Sequence, residues 1–145
     1  MTKNGRRGRQ RVEIFLSHAS KDRAFADELA RTLRRHGLKV WYSRTELVGA
    51  QAWHDEIGKA LMRCNWFVVI LSGAALKSKW LRRELQYALW DDRYERRIVP
   101  VLYKRCKLAE LSWSLPPLQM ADFTRQRDTG YTELLRIWGL KYRAQ

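Results

Sequence analysis

Hydrophobic residues along the chain form short continuous runs that alternate with longer stretches of helical periodicity. The continuous runs have the length of strands, and the run 66–71 lacks polar alternation, as is typical of a strand buried on both faces. In the stretches between them, apolar residues recur every three or four positions, which indicates amphipathic helices. The predicted strands span 12–16, 38–42, 66–71, 98–102 and, weakly, 119–123, with a helical pattern around 25–33, 53–61, 81–89 and 131–138.

This alternation of strand and helix predicts an α/β domain in which helices cover both faces of a parallel sheet. Five strands fit a flavodoxin-like three-layer fold with the strand order 2-1-3-4-5. A ligand site is then expected where the first and third strands end, at Ser17 to Ser20 and at Ser72-Gly73. Ser20 or Asp22 is expected to cap the first helix. Pro100 predicts a peripheral or bulged fourth strand, because proline cannot donate a ladder hydrogen bond.

The predicted helix at 81–89 brings a carboxylate towards this site. Its apolar stripe consists of Leu81, Leu85 and Leu89. Trp80 and Glu84 lie four residues apart, so they share a face roughly 100° from the stripe. Glu84 is therefore expected at the edge of the core, one turn from an indole. The alternative interpretation is a solvated surface glutamate, which is the common case for this residue type.

Composition indicates a single globular domain without a membrane span or a zinc site. The 145 residues are 46% hydrophobic and include seven tryptophans, which predicts one packed domain. We divide the chain into a basic flexible leader at 1–10, a domain at 11–140 and a C-terminal tail at 141–145. No apolar run approaches the roughly 18 residues of a membrane span, and the two cysteines match no zinc spacing. We expect no membrane segment, no metal and a cytoplasmic location.

The net charge of +14 raises the question of nucleic-acid binding. Part of this charge lies in the leader, and the remainder is scattered over predicted helix faces. The sequence contains no helix-turn-helix, zinc finger or aromatic RNA-binding motif. A basic solvated surface is the favoured interpretation, with at most weak, salt-sensitive binding to polyanions. The basic residues up to position 11 are Lys3, Arg6, Arg7, Arg9 and Arg11.

Several nucleotide and hydrolase motifs are absent from the sequence. The first loop lacks G-x-G-x-x-G, and the chain has no G-x-x-x-x-G-K-[ST], which argues against a Rossmann dinucleotide site and a P-loop NTPase. The acidic residues of a phosphoacceptor receiver are missing after the first and third strands, and there is no G-x-S-x-G elbow.

Five short motifs, in order, resemble the Toll/interleukin-1 receptor (TIR) domain family, most closely its bacterial branch. The resemblance covers roughly 11–140, nearly the whole chain. Each motif is short, and their common order and spacing make the resemblance specific. They are Phe15-Leu-Ser-His-Ala-Ser-Lys-Asp22, Gly37-Leu-Lys-Val-Trp-Tyr42, Val68-Val-Ile-Leu-Ser72, Trp80-Leu-Arg-Arg-Glu84-Leu85 and Ile98-Val-Pro-Val101.

The resemblance implies either cleavage of NAD⁺ between nicotinamide and ribose, in bacterial defence or effector signalling, or a non-catalytic adaptor that acts by self-association. In the cleaving branch, Glu84 occupies the position of the essential glutamate of W-x-x-x-E. NAD⁺ is then the substrate, and no cofactor is expected. The family pocket also uses the loop after the second strand, here 43–49. This loop departs from the family pattern, since Ser43 and Val48-Gly49 stand where an acid and Pro-Gly are common.

One carboxylate suits this reaction, because nicotinamide leaves as a neutral molecule and needs no general acid, unlike the leaving group of ordinary glycosidases. A carboxylate can stabilise the positive charge that develops on the ribose. Attack by water gives ADP-ribose, and attack by another atom of the same molecule gives a cyclic isomer. The candidate substrate-binding residues are Ser17, His18, Ala19, Ser20, Ser43, Arg44, Ser72 and Trp80.

Each candidate has a structural alternative. Trp80 could stack on a substrate ring or pack in the core, and His18 could bind substrate or brace its own loop through local hydrogen bonds. The serines could be ordinary turn residues. Arg44 could neutralise a pyrophosphate or remain solvated. The resemblance also implies head-to-tail self-association through the second loop, for which the candidates are Arg44, Leu47 and Gly49.

Overall fold

Five strands form one parallel sheet in the order β2-β1-β3-β4-β5 within the described residues of the computed structural model, which are 11–42, 50–111 and 119–145. All four neighbouring pairs are parallel. This order confirms the predicted flavodoxin-like α/β fold. The strands are β1 (Glu13–Ser17), β2 (Lys39–Tyr42), β3 (Trp66–Leu71), β4 (Ile98–Leu102) and β5 (Ala121–Asp122).

Helices cover both faces of the sheet. Successive strand residues point to opposite faces, so Phe67 and Val69 pack with α2, α3 and α4, whereas Val68 and Ile70 pack with α1 and α5. The helices are α1 (Arg23–Arg35), α2 (Ala50–Arg63), α3 (Gly73–Leu76), α4 (Lys79–Trp90) and α5 (Arg127–Arg136). Short 3₁₀ turns span Ser20–Asp22, Asp92–Tyr94 and Leu108–Glu110.

Pro100 does not make β4 peripheral or bulged, as the sequence suggested. β4 lies between β3 and β5, and Pro100 pairs in regular register with Val69. The carbonyl of Leu102 accepts a hydrogen bond from the Phe123 amide. Alternate residues of a strand face the same neighbour, so Pro100 faces the β5 side, where pairing begins only at Val101. The missing N–H group of Pro100 therefore has no ladder partner to lose.

The segment after α5 packs against the domain, although the sequence analysis set 141–145 apart as a tail. The Arg143 amide donates a hydrogen bond to Nε2 of His36 at 2.9 Å, and Nδ1 of His36 donates to the Thr32 carbonyl at 2.8 Å. The Tyr142 ring stacks on His36 and on Tyr131, with centroid distances of 5.7 and 5.2 Å. At least Tyr142 and Arg143 therefore belong to the folded unit.

Candidate functional site

The carboxyl end of β1 carries a buried hydrogen bond between a serine and a glutamate. Ser17 is the last residue of β1 and pairs with Val69 in the middle of β3. Its hydroxyl donates to Oε1 of Glu84 at 2.6 Å. The two side chains are 1% and 5% exposed. Two of the residues singled out from the sequence are therefore in direct contact at the expected edge of the sheet.

Glu84 is buried because of its place on α4. Ser78 caps this helix by accepting a hydrogen bond from the Leu81 amide at 3.1 Å. Leu81 and Leu85 bury the inner face of the helix against the sheet, and Glu84 directly precedes Leu85. The alternative of a solvated surface glutamate is therefore wrong.

Burial raises the pKa of the Glu84 carboxyl to about 7, and the hydrogen bond from Ser17 opposes this rise. Burial disfavours the ionised form, whereas a donor to the carboxylate favours it. The carboxyl consequently titrates near neutral pH. A buried acid with such a pKa, at the ligand end of an α/β sheet, is typical of functional sites.

A second buried pair joins the two loops that flank this acid. The Ser72 hydroxyl, directly after β3, donates to the Asp22 carboxylate and accepts from the Ala75 amide at 3.1 Å. Asp22 is only 6% exposed. Asp22 was expected to cap a helix, as was Ser20, but neither side chain caps α1 or the preceding 3₁₀ turn. The Ser72 hydroxyl, a candidate for substrate binding, is already engaged by protein groups.

Asp22 is a residue of the site that the sequence pattern did not indicate. The available signal was weak, because an acid shortly after a strand commonly caps a helix. The hydrogen bond between Asp22 and Ser72 spans 50 residues of sequence. It connects the turn after β1, which begins next to Ser17, to the residue that follows β3.

His18 follows Ser17 and has unsatisfied polar atoms. Both of its ring nitrogens are buried and have no hydrogen-bond partner in the described part of the chain. The ring meets Tyr42 edge-on, with centroids 5.8 Å apart. Burial lowers the pKa of the imidazole, and the nearby carboxylates of Asp22 and Asp27 oppose this. Among the described residues, no group therefore supplies the local hydrogen bonds expected of a bracing role.

The remaining candidates lie in different environments. Trp80 is half-buried and packs against the same core cluster as Leu81, with the Arg83 guanidinium 5.4 Å from the centre of its ring. Ala19 is buried and Ser20 is exposed. Candidates that fall outside the described residues are Ser43, Arg44, Leu47 and Gly49.

The described residues contain neither a cluster suited to a metal ion nor a helix suited to a membrane. Their histidine, cysteine and acidic side chains form no group of three or more suited to a metal ion. None of their helices combines the length and apolar character that crossing a membrane requires.

Comparison with known proteins gives one family. A family model for the TIR domain matches residues 14–135. The chain is 35% identical over 104 residues to the NAD(+) hydrolase PdTIR of Paracoccus denitrificans, covering 70% of this chain and 35% of that protein. It is 31% identical over 102 residues to the probable 2' cyclic ADP-D-ribose synthase TcpO of Methanobrevibacter olleyae, covering 70% of this chain and 30% of that protein. The chain thus spans only 30–35% of the length of these relatives.

A solved structure agrees with the fold. The TIR domain of the Toll-related receptor TRR-2 from Hydra magnipapillata superposes with a TM-score of 0.65 and 20% sequence identity. The superposition covers 86% of this chain and 96% of that one.

Proposed function

This chain belongs to the TIR domain family, and we propose that it cleaves the nicotinamide–ribose bond of NAD⁺ with Glu84 as the catalytic carboxylate. The observation that carries the proposal is the burial of Glu84 beside Ser17 at the carboxyl end of β1. The names of two relatives, an NAD(+) hydrolase and a probable 2' cyclic ADP-D-ribose synthase, support NAD⁺ as the substrate.

The proposed chemistry requires Glu84 in its ionised form. Nicotinamide departs with the bonding electrons and becomes neutral, so positive charge accumulates on the ribose as an oxocarbenium ion. A carboxylate fixed in a poorly hydrated site stabilises that charge more strongly than water does. The pKa of about 7 leaves a substantial fraction of Glu84 ionised at neutral pH. A cationic substrate beside the carboxylate favours ionisation further.

Ser17 and His18 are the neighbours through which the chain would orient the acid and the substrate. Ser17 holds one carboxylate oxygen and leaves the other for ribose hydroxyls. His18 directly follows Ser17, and its two ring nitrogens have no partner among the described residues. We assign it a hydrogen bond to a substrate hydroxyl or phosphate, and Trp80 a stacking contact at the mouth of the site.

The released ADP-ribose moiety has two possible fates. Attack by water gives ADP-ribose, and attack by a hydroxyl of the same molecule gives a cyclic isomer. The names of the relatives include both outcomes.

We place the protein in the cytoplasm, where the free thiols of Cys64 and Cys106 would remain reduced. We assign it a role in bacterial defence or effector signalling.

Mass spectrometry of the products after incubation with NAD⁺ tests the proposal and identifies the product. Glu84→Gln should lower turnover by about 10²–10³-fold. Glu56→Gln is the matched control, because Glu56 is an exposed glutamate on α2, and it should leave turnover unchanged. Full turnover in folded Glu84→Gln would exclude the catalytic role. Intact NAD⁺ with assembled wild-type protein would instead support a non-catalytic adaptor.

A further inference from the structure

The edge of the sheet opposite Glu84 carries an open, arginine-rich cleft. It lies where β1, β3 and β4 begin, has a volume of about 720 Å³, and is lined by Asn65 and by charged residues. These charged residues are Arg11, Arg93, Arg96 and Arg97 together with Asp92 and Glu95. Nothing in the proposed reaction uses this surface.

Two arginines of the cleft, Arg11 and Arg96, are exposed to solvent. Among the described residues, neither Arg11 nor Arg96 forms an ion pair. Arg97 lies over the Trp66 ring at 5.7 Å, which fixes the direction of its guanidinium. Arg96 has a left-handed backbone with φ of 62°, a conformation that L-residues other than glycine seldom adopt. The cleft thus presents exposed guanidinium groups, which match phosphate oxygens in geometry and charge.

Exposed aromatic side chains border the cleft. Asp92 also lines an adjacent hollow that contains Tyr87 and Trp90 from the last turns of α4. Trp90 is 87% exposed and Tyr87 is 41% exposed. Large aromatic residues with this exposure next to arginines are the combination that binds single-stranded nucleic acid, because bases stack on the rings while the backbone follows the positive charge.

We propose that this cleft binds the sugar–phosphate backbone of single-stranded nucleic acid without sequence preference, with Trp90 and Tyr87 as stacking surfaces for bases. A flexible strand can pass beside Asp91 and Asp92, which lie between Trp90 and the arginines in sequence. A flat anionic bilayer would press its head groups against these carboxylates. Four more basic residues precede Arg11 in the sequence.

The experiment measures binding of the full chain to fluorescein-labelled oligothymidylate by anisotropy over a series of salt concentrations. Affinity should fall as salt rises, because each phosphate contact releases condensed counterions. Arg11→Glu combined with Arg96→Glu should weaken binding about tenfold or more and flatten the salt dependence by about 0.7 in log–log slope per lost contact. Arg31→Glu combined with Arg125→Glu is the matched control, because both arginines are exposed and lie outside the cleft.

The variant Trp90→Ala distinguishes the contribution of base stacking to binding from that of charge. It should weaken binding to oligothymidylate with no change in salt slope, and it should not affect binding to duplex DNA, whose bases are already stacked. Arg96→Gly removes one charge and relieves the left-handed backbone, so it should weaken binding without loss of stability. This variant keeps the test valid if the glutamate variants fold poorly.

Three outcomes would overturn the proposal. The first is unchanged binding in folded cleft variants together with loss of binding on deletion of 1–10, which would assign the effect to the leader alone. The second is binding to phosphatidylserine vesicles in a sedimentation assay with no binding to oligothymidylate. The third is equal losses for the cleft and control pairs, which would mean that only net charge matters.

Discussion

The Ser17 hydroxyl donates to Oε1 of Glu84 at 2.6 Å, so the last residue of β1 holds an acid that lies 67 positions later in the chain. This contact bears on the proposed reaction, because burial raises the pKa of Glu84 and the hydrogen bond from Ser17 lowers it. The donor favours the carboxylate, and burial favours the neutral acid. Ser17 is therefore expected to lower the pKa of Glu84 as well as to orient its carboxylate.

Ser17→Ala should move the acidic limb of the pH–rate profile to higher pH. Loss of the donor removes an interaction that lowers the pKa of Glu84, so a smaller fraction is ionised at neutral pH. The profile of kcat/KM for NAD⁺ between pH 5 and 9 measures this shift. Ser20→Ala, at an exposed position of the same turn, should leave the profile in place. A lower rate without a shift of the acidic limb would mean that Ser17 contacts the substrate and does not change the pKa of Glu84.

Glu84→Gln should stabilise the fold at alkaline pH. The folded-state pKa of about 7 exceeds the ordinary value of 4.5, so the unfolded chain releases this proton at lower pH than the folded chain. Ionisation of Glu84 therefore reduces stability progressively from about pH 4.5 to pH 7 and fully above that range. The neutral amide avoids this loss, which amounts to about 3 kcal/mol at pH 8.

Urea unfolding at pH 8 and pH 4 measures this effect. The gain in unfolding free energy for Glu84→Gln should appear at pH 8 and disappear near pH 4, where the carboxyl is protonated in both states. Reduced stability of the variant at both pH values would contradict the argument and show that the carboxylate contributes favourably to the fold.

Ser72→Ala should destabilise the domain more than Ser78→Ala. Each serine caps a helix by accepting an amide hydrogen bond at 3.1 Å, and loss of such a cap costs about 1 kcal/mol. Ser72 also donates to buried Asp22, so its removal leaves a buried carboxylate short of one donor, at a further cost of about 1–3 kcal/mol. Chemical denaturation of the two variants provides the comparison. Equal losses would show that the bond to Asp22 adds nothing to stability.

Truncation should affect the two ends of the chain differently. Deleting 142–145 removes the hydrogen bond from the Arg143 amide to His36 and the stacking of Tyr142, and should cost about 1–2 kcal/mol. Deleting 1–10 should change stability little, since this segment has no large apolar residue after Met1. Melting temperatures of the two truncated proteins test both expectations. A large decrease for the first ten residues would contradict the second.

NAD⁺ cleavage should require self-association. The segments 17–20 and 43–49 after β1 and β2 are short and polar in sequence. We expect them to exclude water poorly from a dinucleotide, and a neighbouring copy can complete the site. Specific activity should then rise more than proportionally with protein concentration. Arg44→Ala and Leu47→Ala should lower activity without unfolding the domain, whereas Arg31→Ala should not. Full specific activity of a verified monomer at high dilution would refute this requirement.

Local periodicity was enough to predict the order of strands and helices along the chain. Continuous apolar runs and four-residue spacing report which side of a strand or helix is buried, and these are properties of neighbouring residues. The stripe of Leu81 and Leu85 therefore located α4 and placed Glu84 beside the core. Pro100 misled the prediction, because its effect depends on where β5 begins, which no local pattern contains.

The sequence by itself determined the α/β order, the switch point and the identity of Glu84 as the candidate acid. Only the tertiary structure decided three hydrogen bonds between distant residues. They join Ser17 to Glu84, Ser72 to Asp22, and the Arg143 amide to His36. These partners are 50 or more positions apart in sequence, so their contact depends on how strands and helices pack. Burial, which raises the pKa of Glu84, arises from the same packing, and for that reason the proton affinity of this acid is a property of the fold.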